Sequence, residues 1–252
     1  MTQGTTAKVG SGAKLSSSIT SIGNYVFSSS GLESIDLSEI KATSLGNNVF
    51  QNAGSLATVM LPTNLTSMGT DVFRTSGITS LDLSNTKITS IGNDAFNGAA
   101  SLATLTLPTT GLTSIGNNAF QGTTSLTSLN LPNTINSIGQ SAFQASGIKT
   151  LDLSGTQVTT INPSTFQDAA SLASVTLPAT VTSIGDSAFQ GTTALNTLNQ
   201  KGVTETNKLS SSVQSIGTAA FRQTGLASLD LSETKVTGAD SDSANSFGNN
   251  VF

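Results

Sequence analysis

"TSIGNNAFQG", residues 113–122, holds one isoleucine, one phenylalanine and little else that could build a core. The phrase returns as "TSIGNDAFNG" at 89–98, "NSIGQSAFQA" at 136–145 and "TSIGDSAFQG" at 182–191. The phenylalanines set the period. Phe27, Phe50, Phe73 and Phe96 are 23 residues apart, Phe120 follows after 24, and Phe143, Phe166 and Phe189 return to 23. Phe221 and Phe252 follow at 32 and 31. A 23-residue unit cannot bury its own apolar face. Stacked units can, because each Leu, Ile and Phe then packs on its copy in the next coil.

A second signal recurs inside each unit. L-x-x-L-x-L appears as Leu102-x-x-Leu105-x-Leu107, Leu126-x-x-Leu129-x-Leu131 and Ile148-x-x-Leu151-x-Leu153. Its alternation predicts a short half-buried strand, one per coil, in one parallel sheet on the concave face of a solenoid. The "xxAF" segment after "SIG" is too short for a regular helix and predicts one helical or 3₁₀ turn with Phe pointing inward. The glycine after the Ile or its apolar equivalent (23, 46, 69, 92, 116, 139, 185, 217, 248) suggests a tight turn or positive φ, and Asn162 stands in for it once.

"SLTSLNLPNTINSIGQSAF" (125–143) and "SLASVTLPATVTSIGDSAF" (171–189) resemble the BspA-like, treponemal-type leucine-rich repeat, and the resemblance covers nearly the whole chain. It implies a leucine-rich-repeat solenoid of the α/β repeat class, mostly β with short helical or 3₁₀ turns. It also implies an extracellular, cell-surface adhesion or protein-binding module with a host, matrix or neighbouring-cell partner. The family often carries Cys two or three residues after the Phe. Here those positions hold Ala, Ser, Thr and Gly, which keeps a small buried residue.

Two repeat types alternate. One reads "SGITSLDLSNTKIT", the other "SLATLTLPTTGLT". "LSSSITSIGNYVF" (15–27) matches "LSSSVQSIGTAAF" (209–221) at an offset of 194. Residues 1–252 therefore read as a single solenoid, a window from a longer array. Residues 199–208 and 238–245 interrupt the rhythm and read as surface loops.

Chemistry is sparse. There is no Cys, no His and no Trp, and 10% of residues are charged, with a net charge of −4. Thiol chemistry, thiolate metal sites and the commonest general base are excluded. Nothing suggests nucleic-acid binding, since there is no basic excess. No apolar run approaches the length a bilayer needs, so no membrane insertion is expected. "MTQGTTAKVG" has no apolar core of a signal peptide, which with any anchor would lie outside this sequence. Asp36, Asp82, Asp152 and Asp230 fall in separate units, with another unit between, and read as solvated residues. Asp240-x-Asp242 lacks the rest of a calcium loop. No catalytic, metal or cofactor site is expected, and the chain reads as no enzyme.

Recognition is expected in one of two places. The interruptions gather Lys201, Glu205, Lys208, Asp240 and Asp242. The sheet face offers a wide hydroxyl surface that includes Thr58, Thr104, Thr127 and Thr150, with no aromatic or Arg anchor. A spacer that displays another domain is the alternative role. A face for ice or another ordered surface is a further one, favoured by the hydroxyl rows and opposed by leucine-rich curvature.

Overall fold

The computed structural model describes residues 13–236. The phenylalanines form its axis. Eight successive ring pairs run from Phe27 to Phe221, with centroids 5.1–5.6 Å apart and planes within 17° of parallel. One ring per coil at roughly the spacing of adjacent strands gives this geometry directly. Around the rings a single core of Leu, Ile, Val and Ala runs the length of the stack.

Two parallel ladders flank that core, where one sheet with one strand per coil was expected. The first is built from L-x-x-L-x-L. It includes Ser34–Asp36, Thr58–Met60, Ser80–Asp82 and Thr104–Thr106, and then Thr150–Asp152, Ser174–Leu177 and Thr197–Gln200. The second is built from the "SI" dipeptide, for example Ser90–Ile91, Ser114–Ile115 and Ser137–Ile138 in register. In both, the apolar residue is buried and its neighbours face outward.

The "xxAF" segments are not helical. Their N–H groups alternate between two destinations. Asn118, Phe120 and Gly122 donate across to the carbonyls of Gln140, Ala142 and Gln144 in the next coil, while Gln121 closes a local turn on Asn118. A 3₁₀ turn would direct every bond within the segment. Here the backbone turns once and still satisfies the neighbouring coil.

The glycines after Ile also serve another purpose than positive φ. Left-handed φ falls two residues later, at Asn48 (59°), Asp94 (53°), Asn118 (53°) and Ser141 (54°). The glycines are needed for close approach: a Cβ on Gly69 would stand 2.6 Å from the Gly46 carbonyl oxygen, and one on Gly92 would stand 2.5 Å from that of Gly69. Asn162, at the equivalent place, has no positive φ and donates its side-chain amide to the Ile138 carbonyl.

Small residues after the Phe are buried, as expected: Ala53, Ala99, Thr123, Ala169 and Thr192 are fully covered. The hydroxyls of Ser76, Thr123 and Thr192 donate to the preceding Phe carbonyl. That bond satisfies a buried polar atom where Ala needs none.

The two repeat types differ in how they end the first strand. In one, Asp82 Oδ1 accepts the Ser84 N–H at 2.8 Å, and Asp152 and Asp230 do the same for Ser154 and Ser232. In the other, Pro62, Pro108, Pro132 or Pro178 restricts the turn. The aspartates therefore hold turns.

Candidate functional site

Three places carry the polar groups from which recognition could be built. The first is the exposed face of the first ladder. Thr58 pairs in register with Ser34 and Ser80, Thr104 with Ser80, and Thr150 with Ser174. These side chains point outward in one row, one per coil. Thr127 is exposed but stands one place off it: its carbonyl receives the Lys149 N–H, as that of Ala57 receives Thr79 N–H. Ser128 is its coil's member of the row. Among the described residues, Met60, 59% exposed, is the one large apolar side chain that the sheet presents to solvent.

The second place is the insertion at 199–208. Thr197–Gln200 belongs to the first ladder, and Gln200 is buried. Its side-chain oxygen accepts the Ser210 N–H at 2.8 Å, and its amide donates to Ser212 Oγ at 3.0 Å, so one residue ties both ends of the insertion. Asn207 fills a ladder position between Leu198 and Asp230. Its N–H donates to the Leu198 carbonyl, its side-chain oxygen accepts the Leu198 N–H, and its carbonyl accepts the Asp230 N–H. Residues 201–206 form the part that projects.

Its charges are partly committed. Lys208 Nζ lies 3.0 Å from Glu233, 3.6 Å from Glu205 and 3.9 Å from Asp230. The hydrogen bond to Glu233 holds the ammonium above its ordinary pKa. Hydrogen bonds from Thr204 and the backbone, and then the Lys208 charge, hold Glu205 below the usual range. Ser232 does the same for Asp230. Lys208 and Glu205 are thus brought together, while Lys201 projects alone as an exposed cation. Asp240 and Asp242, with the whole interruption at 238–245, lie outside the described residues.

The third place was not anticipated. The first ladder opens between Thr104–Thr106 and residues 128–130, which join no strand on either side. A slit of about 480 Å³ lies there, lined by residues 103–109 and 128–133. The second ladder and the ring stack continue past it unbroken. Two sequence features coincide with it: the 24-residue spacing from Phe96 to Phe120, and the one place where two proline-type units follow each other directly.

Among the described residues, no group of three or more His, Cys, Asp or Glu side chains could hold a metal ion, and no helix is long and apolar enough to cross a membrane.

A family model, the BspA type leucine rich repeat region, matches residues 11–103, 89–207 and 195–247 in six copies. No curated protein matches the chain. Among solved structures, the pneumococcal vaccine antigen PcpA is 15% identical, with a TM-score of 0.59 over 90% of this chain and 72% of that one. A leucine-rich repeat protein of T. pallidum is 22% identical, with a TM-score of 0.45 over 95% and 84%. One from Bacteroides ovatus is 18% identical, with a TM-score of 0.44 over 88% and 77%. At these identities the likeness is one of fold.

Proposed function

Since the chain belongs to the BspA-type leucine-rich repeat family, we propose that it is a non-enzymatic protein-binding module displayed at a cell surface. It holds a protein or matrix partner through the outward face of the first ladder. One observation carries this reading. The face sets hydroxyl side chains, including those of Thr58, Thr104 and Thr150, in a row at one per coil on a continuous core. Each such contact is weak or water-mediated, so affinity comes from number and from a surface that loses little freedom on binding.

A second reading places recognition on the projecting turn at 201–206. Its support is that Gln200 and Asn207 anchor the turn to the scaffold while Lys201 stays exposed. Loops on rigid frames are where binding residues gather. Asp240 and Asp242 remain candidates for the same role.

Affinity capture tests both readings. The chain is immobilised and exposed to host, matrix and same-cell surface proteins. Thr58→Arg with Thr150→Arg should abolish capture, and shortening 201–206 to a tight turn should preserve it. The opposite pattern moves the site to the loop. Capture of nothing, with a distal domain found on the full-length protein, would replace the binding reading with that of a spacer.

A further inference from the structure

The slit has a chemistry of its own. No backbone hydrogen bond crosses between residues 103–109 and 126–133 among the described residues, and nothing there accepts the N–H of Leu107, whose counterparts Leu83 and Leu153 donate to Thr106 and Thr176 of the next coil. Elsewhere the equivalent stretches lie in ladder register, as Leu81 does with Leu105 and Leu151 with Val175. The floor is apolar and slightly bare: Leu107 keeps 6% exposure and Leu131 is partly buried, where Leu83, Leu153 and Leu177 at the same place in their coils have none, and Leu105 and Leu129 lie beside them. Its rim carries Thr104, Thr106, Ser128 and Asn130, and no charged residue lines it.

Open main-chain groups in a row, above an apolar floor and within an uncharged rim, complement one kind of partner surface best. A peptide backbone supplies donors and acceptors at the spacing of a strand, and alternate side chains point down. A charge brought into this slit would lose hydration and find no counter-ion. A sugar would find hydroxyls but no aromatic ring to stack on, since the chain has no Trp and its one Tyr, Tyr25, lies in a distant coil.

We propose that the slit is a docking site for an uncharged, extended peptide segment of a protein partner, held by main-chain hydrogen bonds to the open strands at 104–107 and 128–131. The proposal rests on the protein-binding reading and gives that partner a chemistry. The segment carries small apolar side chains at alternate positions facing Leu105 and Leu129, and polar uncharged ones between them.

The test uses the full chain. Its probes are an immobilised set of uncharged peptides with alternating Val or Leu and Thr or Ser, the same peptides with Lys or Glu at the apolar positions, and a set of neutral oligosaccharides. Members of the first set are expected to bind and to slow amide exchange at Leu105 and Leu107 by at least about tenfold. Thr104→Arg and Asn130→Arg should each weaken binding by about tenfold or more, since they place an unpaired charge at the rim. Asn85→Arg, in an exposed turn away from the slit, should leave it unchanged. Peptide binding indifferent to Thr104→Arg and Asn130→Arg would overturn the proposal, as would binding by the oligosaccharides alone or by neither class. If the chain still captured a protein partner in those cases, the binding-module reading would stand with its site elsewhere on the face.

Discussion

Phe143→Ala is the sharpest probe of how this chain holds together. Phe143 is fully buried, with Phe120 at 5.3 Å on one side and Phe166 at 5.6 Å on the other. Removing a buried ring costs about 3–5 kcal/mol through lost transfer energy and the cavity left behind. Two stacked contacts, each worth about 0.5–1.5 kcal/mol beyond burial, place this site in the upper part of that range. Collapse around the gap is restrained because every ring is held by its own coil. Phe27 offers the internal comparison: it is half-buried and stacks on Phe50 alone. Phe27→Ala should cost about half as much or less, on the same area and ring accounting. Guanidinium denaturation followed by far-UV circular dichroism reads both variants without a Trp reporter. A central loss should also blur the transition or lower its slope, since a one-dimensional stack can come apart at its weakest interface. The reasoning is refuted if Phe143→Ala costs under about 1 kcal/mol, or no more than Phe27→Ala.

Other outcomes follow from particular contacts. Gly92→Ala should be strongly destabilising, because its Cβ meets the Gly69 carbonyl, whereas Gly155→Ala, with open space and no positive φ, should be neutral or stabilising by about 0.4–1 kcal/mol; thermal melts of the two distinguish close approach from turn conformation. Asp152→Ala should cost about 1 kcal/mol through loss of the bond to the Ser154 N–H, measurable by denaturant titration. Around Lys208 the signs differ. The depressed carboxyls of Glu205 and Asp230 contribute stability that is present above their ordinary values of 4.5 and 3.8 and is lost as pH falls through the lowered ones. The raised Lys208 contributes stability that is present below 10.5 and lost as pH rises through its higher value. Lys208→Met should therefore flatten the alkaline limb of a melting-temperature profile and only part of the acid limb, since Ser232 and Thr204 still hold the two carboxylates.

The repeat, its period and its buried residues are legible in the residues themselves, because Phe, Ile and the L-x-x-L-x-L leucines each have one burial role repeated in every coil. What escapes is decided between coils. Ser-Ile dipeptides are too short to show the alternation of a strand, yet their backbone pairs with neighbours on both sides. The "xxAF" segment looks like a helical turn locally, and only the carbonyls of the next coil show that its N–H groups are used elsewhere. The glycines after Ile are visible, but their reason lies in the coil 23 residues away. Asn207 reads as loop because its ladder partners, Leu198 and Asp230, lie 9 and 23 residues off. The slit was signalled faintly by the 24-residue unit and the doubled proline type; nothing in residues 103–109 or 128–133 alone says that their strands part.

Residue-resolved amide exchange on the unliganded chain tests most directly the claim that a continuous solenoid opens on one face beside residues 128–130. Phe120 and Phe143 N–H groups, bonded to Ala142 and Thr165 at 2.8 Å, should exchange only with global unfolding. Leu107, whose N–H faces the slit, should exchange orders of magnitude faster. Protection of Leu107 equal to that of Phe120 and Phe143 would mean that the first ladder is closed there, and the slit with its proposed occupant would not exist.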